Sequence, residues 1–175
     1  MFLSNNFTIK HLNLNHNFIQ ELGTKYIAQS LEHNKSLEEL YLNSNHIGPS
    51  GAELFKEGLI LNKSLKLLGF ESNHIESDGV NALLVALCYN KVLTYLNLCK
   101  FLLANNDIDG KKLEIMQDFL TSNETLKFLI LASNEIGDIN ISSLCRGLPI
   151  NKGLQNIIIS YLKKAKQNLM KIQSN

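Results

Sequence analysis

Five copies of one phrase, Leu-x-x-Leu-x-Leu-x-x-Asn-x-Ile with minor exchanges, run through this chain, and a sixth begins. They start at Ile9, Leu37, Leu65, Leu93 or Leu98, Leu126 and Leu154. Counted through Leu93, the steps are 28, 28, 28, 33 and 28 residues. A fixed period of this length constrains the fold more than any other sequence signal, because each copy can bury its apolar face only against the next. The product is a stacked solenoid in which each unit touches only its neighbours.

Each unit has two halves of different period. Leu40, Tyr41 and Leu42 alternate as a short strand does, and Asn45 and Ile47 follow. The second half has helical spacing. Counted from the Ile, position +8 is Ile27, Phe55, Leu83, Met116 and Leu144. Position +12 is Leu31, Leu59, Leu87, Leu120 and Leu148. These two positions lie one turn apart on one helix face. Gly23, Gly51 and Gly79 at +4 allow close approach of helix to strand. Pro49 falls in a first helical turn, where it is tolerated. Three residues beyond the +12 Leu stands another Asn: Asn34, Asn62, Asn90, Asn123, Asn151.

This strand–loop–helix unit resembles the leucine-rich repeat family, in particular its ribonuclease-inhibitor-like class, over roughly residues 3 to 160. The resemblance implies an α/β fold: a right-handed, horseshoe-shaped solenoid with a concave parallel β-sheet and convex α-helices. It also implies that Asn17, Asn45, Asn73, Asn106 and Asn134 turn inward and pair loop backbone otherwise buried without partners.

The fourth unit carries five extra residues within LTYLNLCKFLLAN, and two registers compete. Leu93, Leu96 and Leu98 preserve the link back to Asn90. Leu98, Phe101 and Leu103 preserve the link forward to Asn106 and Ile108, and this second register is preferred. Only one set can line the core, because register is strongly specified where one face is buried.

Residues 1–175 are expected to form a single leucine-rich-repeat domain. At the start, Leu3 and Asn6 match the Leu-x-x-Asn pattern that closes later helices, so the chain reads as beginning in the last turn of a unit. That suits either a reduced cap or a fragment. At the other end Leu162, Ala165, Leu169 and Ile172 have helical spacing, with Lys163, Lys164, Lys166 and Lys171 among them. They are read as a capping helix over about 161–172 with a solvated basic face.

The net charge of +1 supplies no global field for nucleic acid or membrane. No apolar run is long enough to span a bilayer. Cys88, Cys99 and Cys145 are odd in number and irregular in spacing, which suits a reducing compartment, and a cytoplasmic location is expected. No catalytic, cofactor or metal constellation recurs at one locus. His46 and His74 occupy the same slot of consecutive units, so their rings can be neighbours on the rim.

What remains variable lies on the concave face, in lateral rows. One row reads His11, Glu39, Leu67, Tyr95 or Lys100, Phe128, Asn156. The next reads Asn13, Tyr41, Gly69, Asn97 or Leu102, Ile130, Ile158. A third reads Asn15, Asn43, Glu71, Cys99 or Ala104, Ala132, Ser160. Tyr41, Leu67, Tyr95, Phe128, Ile130 and Ile158 are the candidate partner-binding residues, since contiguous exposed apolar groups mark interaction sites. The expected function is non-catalytic binding of a protein partner. Two alternatives implied by the resemblance are a regulator like the leucine-rich-repeat GTPase-activating protein of Ran and a fragment of an immune-receptor-like sensor. The sole arginine, Arg146, falls on the helix side, a poor place for a finger into a nucleotide site. Six strands at about 4.8 Å and five residues of about 3.3 Å give a concave strip of roughly 500 Å². A stable interface takes about 800 Å² per partner, so the strip needs help from the rim loops.

Overall fold

The computed structural model describes residues 3–99, 115–132 and 138–159, with the side chains of 138–140 left aside. Asn106, Asn134, the extra residues of the fourth unit beyond Cys99, and the capping helix expected over 161–172 lie outside the described residues.

After a single 3-10 turn at Leu3–Asn5, strands and helices alternate. They are β1 (His11–Asn13), α1 (Gln20–Leu31), β2 (Glu39–Tyr41), α2 (Gly48–Leu61), β3 (Leu67–Gly69) and α3 (Glu76–Tyr89). Then come β4 (Tyr95–Asn97), α4 (Ile115–Ser122), β5 (Phe128–Ile130), α5 (Asp138–Gly147) and β6 (Asn156–Ile158). The strands form one parallel sheet in sequence order, β1 to β6. Strands sit about 4.8 Å apart, whereas packed helices need 8–10 Å. Stacking the two at a common period therefore bends the solenoid, with the sheet inside.

The core is a leucine ladder. Leu40, Leu68, Leu96 and Leu129 point inward from the centres of β2 to β5 with no exposed surface. From the helices, Phe55, Leu83 and Met116 at +8 and Leu59 and Leu87 at +12 are equally buried. The helical spacing thus aims the faces that it was expected to aim. Phe55 and Phe70 meet at 5.1 Å between helix and strand layers. Pro49 lies in the first turn of α2.

The expected role of the +4 glycines changes. A Cβ on Gly79 would stand 2.9 Å from Ala52 Cβ of the preceding helix and 3.0 Å from Ile75 Cβ of its own unit. The missing side chain admits the neighbouring helix and the loop Ile, not the strand.

The fourth-unit register also corrects the sequence reading. β4 is Tyr95–Asn97, paired Leu67 to Tyr95 on one side and Tyr95 to Phe128 on the other. Leu93, Leu96 and Leu98 line the core with no exposed surface. The link back to Asn90 wins because it is made by hydrogen bonds. The Asn90 carboxamide oxygen accepts from the backbone N–H groups of Val92 (2.9 Å) and Leu93 (2.8 Å), which delivers Leu93 into the core.

Two asparagine ladders hold the units together. Where the strand leaves the sheet, the Asn45 carboxamide donates to the carbonyls of Leu14, Leu42 and Asn43, and its oxygen accepts from Asn17 and Ile19 N–H. Asn73 repeats the pattern with Leu42, Phe70 and Glu71. Both are fully buried. Asn17, in the first unit, is exposed and its carboxamide donates to the local Asn15 carbonyl, so the inward role expected of its side chain is not filled.

The second ladder runs where the helix returns to the strand, and the sequence assigned it no role. Asn34, Asn62, Asn90, Asn123 and Asn151 each donate to the backbone carbonyl of the equivalent Asn one unit earlier and to that of a Leu nearby. In the first of these pairs the acceptors are Leu3 and Asn6.

Candidate functional site

The concave face is built by the residues that flank each inward Leu. Strand pairing places His11, Glu39, Leu67, Tyr95, Phe128 and Asn156 side by side. It places Asn13, Tyr41, Gly69, Asn97, Ile130 and Ile158 in the next row. With the register of β4 settled, Tyr95 and Asn97 are the fourth-unit members of these rows.

The face divides in two. Its N-terminal half is a polar network. His11 Nδ1 lies 3.0 Å from Glu39 Oε2, and the Tyr41 hydroxyl donates to that same oxygen at 2.9 Å. These contacts, His11 first and Tyr41 second, hold the Glu39 carboxyl below the usual carboxylate range. Burial, then the bond to Glu39, pushes the Tyr41 phenol up. Gly69 makes room for this arrangement: a Cβ there would meet Asn43 Oδ1 at 2.9 Å and the Tyr41 ring at 3.3 Å. Asn97 donates to Glu71 Oε2 at 3.1 Å. The sequence rows contained all these residues, but which pairs close is set by side-chain reach across and along the strands.

The C-terminal half is apolar. Leu67, Tyr95 and Phe128 are consecutive in one row, and Ile130 and Ile158 are consecutive in the next. The Tyr95 and Phe128 rings lie 5.9 Å apart at 35°. Burial, and then the Glu71 carboxylate, raise the Tyr95 phenol above its ordinary value. Phe128 and Ile158 remain 38% and 47% exposed, which makes them the accessible members of the cluster. Of the six residues singled out from the sequence, the structure brings Leu67, Tyr95, Phe128, Ile130 and Ile158 together. Tyr41 belongs to the polar network.

On the rim where the strands exit, three rings stack. Phe18 and His46 lie 5.1 Å apart at 10°, and His46 and His74 lie 5.5 Å apart at 13°. The two histidines are thus neighbours, and Phe18 extends the stack. Among the described residues, no group of three or more His, Cys, Asp or Glu side chains could hold a metal ion. No described helix is long and apolar enough to cross a membrane.

With this geometry in hand, comparison with known proteins is direct. A family profile described as "Leucine Rich repeat" matches residues 5–28, 33–56 and 122–145. Leucine-rich repeats are thus found in those three segments. No curated protein matches it in sequence. Among solved structures it is similar to "Leiomodin-1 Actin-Binding Site 2 (ABS2)", with a TM-score of 0.70 and 22% identity. That match covers 98% of this chain and 91% of the other. At that identity the likeness extends to the fold.

Proposed function

We propose that this leucine-rich-repeat chain is a non-catalytic, cytoplasmic protein-binding module of the ribonuclease-inhibitor-like type, whose partner sits on the concave face. The observation that carries the reading is the juxtaposition of Tyr95 and Phe128 beside Ile130 and Ile158, with Phe128 and Ile158 left substantially open. Aromatic and branched side chains clustered on a rigid sheet are where binding energy concentrates in other interfaces. The polar half, from His11 to Glu71, supplies directional acceptors beside them. Because the strip is small, the rim stack of Phe18, His46 and His74 completes the footprint.

Phe128→Ala combined with Ile158→Ser should weaken partner binding by about 2 kcal/mol or more and leave the melting transition in place. Actin is the first partner to assay, since a structure of this shape bears that binding site in its name. Co-sedimentation with filaments and titration with monomeric actin measure it directly, and pull-down followed by titration extends the test to other partners. Unchanged affinity in the folded double variant would move the site off the concave face.

A further inference from the structure

We propose that the edge where the helices run back into the strands docks peripherally on an anionic lipid membrane. The net charge of +1 conceals this edge, because acids and lysines favour opposite ends of several units. Acids gather in the first helical turns: Glu21 in α1, Glu76 and Asp78 in α3. Lysines gather at the helix exits. Lys35, Lys63, Lys91 and Lys152 each follow a ladder asparagine, and all four are exposed. A second row lies immediately before the strands. There the backbone N–H of each row member bonds the carbonyl of its predecessor: Glu38 to Lys10, Lys66 to Glu38, Thr94 to Lys66, Lys127 to Thr94. Lys10, Lys66 and Lys127 of this row are exposed as well. The acids of the edge are Glu32, Glu38 and Glu124, and Glu38 is shared between Lys10 and Lys66.

Helix-end electrostatics alone explains part of this pattern. Lys63 Nζ bonds the Ile60 carbonyl, and Lys91 Nζ bonds the Cys88 and Ser122 carbonyls, as cations at helix C-termini do. It does not explain the residues beside them. The position just before each ladder asparagine reads His33, Leu61, Tyr89, Ser122, Ile150, and Leu61, Tyr89 and Ile150 are 52%, 64% and 57% exposed. Leu61, Tyr89 and Ile150, each exposed two residues before Lys63, Lys91 and Lys152, give the edge an amphipathic character suited to the headgroup–acyl boundary.

Two features favour a lipid surface over another polyanion. The cations are all lysines, point charges suited to a diffuse anionic surface. The planar bidentate fork of arginine, which reads phosphate specifically, is absent from these two rows. Leu61, Tyr89 and Ile150 stand exposed among these lysines, where they can enter the headgroup–acyl boundary.

The experiment is flotation of the full chain with vesicles of phosphatidylcholine alone or with about 30% phosphatidylserine, at low and high salt. We expect at least about tenfold stronger partition onto the anionic vesicles, lost at high salt. Lys35→Gln with Lys63→Gln and Lys91→Gln should reduce it about tenfold, and Leu61→Ser with Tyr89→Ser severalfold. Circular dichroism checks folding. Lys10→Gln with Lys127→Gln and Lys152→Gln, which leaves the helix-end bonds untouched, should lower partition in the same direction. Phe128→Ala with Ile158→Ser should not change it, which separates this edge from the concave site. Equal partition onto neutral vesicles overturns the proposal. So does loss of binding only when Lys163, Lys164, Lys166 and Lys171 are replaced by Gln. Binding to polyuridylate or polyglutamate, with vesicle partition unmoved by the Leu61 and Tyr89 changes, overturns it in favour of a nucleic-acid or acidic-protein partner.

Discussion

The two edges of the solenoid solve one problem, pairing buried backbone between units, by different means. At the helix exit, the ladder asparagines sit in ordinary extended backbone: Asn62 has φ −67° and ψ 136°, Asn90 φ −73° and ψ 126°. At the strand exit, three residues in each of the first three units take positive φ: His16, Phe18 and Gln20, then Ser44, His46 and Gly48, then Ser72, His74 and Glu76. Only one of those nine is glycine. In the first loop the His16 and Gln20 N–H groups donate to the backbone carbonyls of Asn43 and Asn45, while Asn17 and Ile19 N–H donate to the Asn45 carboxamide oxygen. Left-handed backbone in residues with a Cβ costs on the order of 1 kcal/mol each, so the strand-exit edge holds a conformation that its ladder must enforce. The helix-exit edge imposes no such cost. The fourth unit shows the consequence. Its five extra residues fall between Asn97 and Ile115, and the helix-exit ladder passes them unbroken: Asn123 still donates to the carbonyls of Asn90 (3.1 Å) and Leu87 (2.6 Å). One edge is an invariant spine, and length variation enters through the other.

The largest effect should come from cutting the spine at its centre. Asn90→Ala leaves the Leu59 and Asn62 carbonyls and the Val92 and Leu93 N–H groups without their partner in a dry environment. At 1–3 kcal/mol for each buried group stranded, less what relaxation recovers, the loss should be about 4 kcal/mol by urea denaturation. Asn151→Ala removes the same four kinds of bond from a half-buried site where water can replace them, and should cost about 1 kcal/mol. Equal losses at both positions would show that burial does not set the strength of the ladder.

The sequence made this comparison half legible. The recurrence of Asn at both positions was visible, and so were the strand rows and the core-facing +8 and +12 residues, because these depend on spacing alone. The fourth-unit register was misread because forward and backward links scored alike in the letters. Only the Asn90 bonds to Val92 and Leu93 separate them. The split of the concave face into a polar and an apolar half was visible as composition, whereas the Glu39 carboxylate shared by His11 and Tyr41 depends on side-chain reach from β1 to β2 and along β2. The lysine edge went unseen because net charge averages over the molecule. It emerges once the units are laid in register.

Next in size are changes to the strained edge. Gly48 has φ +69°, and a Cβ there would meet nothing within 4 Å. Gly48→Ala therefore reports backbone conformation with no clash, and should destabilise by about 1 kcal/mol. Gln20 is its counterpart in the first unit, exposed, with φ +56°. Gln20→Gly relieves the left-handed penalty but gives the unfolded chain more freedom, so a gain of only about 0.5 kcal/mol is expected. Thermal melts of the pair should move in opposite directions. Movement in the same direction would mean that positive φ is not what burdens this edge.

The smallest effect concerns charge on the spine. Glu38 lies between Lys66 Nζ at 2.6 Å and Lys10 Nζ at 3.3 Å. Lys66 first, and then Lys10, hold its carboxyl below the ordinary carboxylate value. A carboxyl lowered by folding stabilises the fold above its unfolded value, and that contribution disappears as pH falls through the folded value. The lysine side chains are more than half exposed, so solvent screens the pair and little stability is at stake. The titration itself is the sensitive readout. In an NMR titration of the side-chain carboxyl, Lys66→Ala should raise the Glu38 midpoint more than Lys10→Ala does, and added salt should shrink both shifts. Equal shifts from the two variants would mean that the shorter Lys66 contact does not dominate. No shift from either would leave the row as separately solvated charges, and the spine would then rest on its asparagine hydrogen bonds alone.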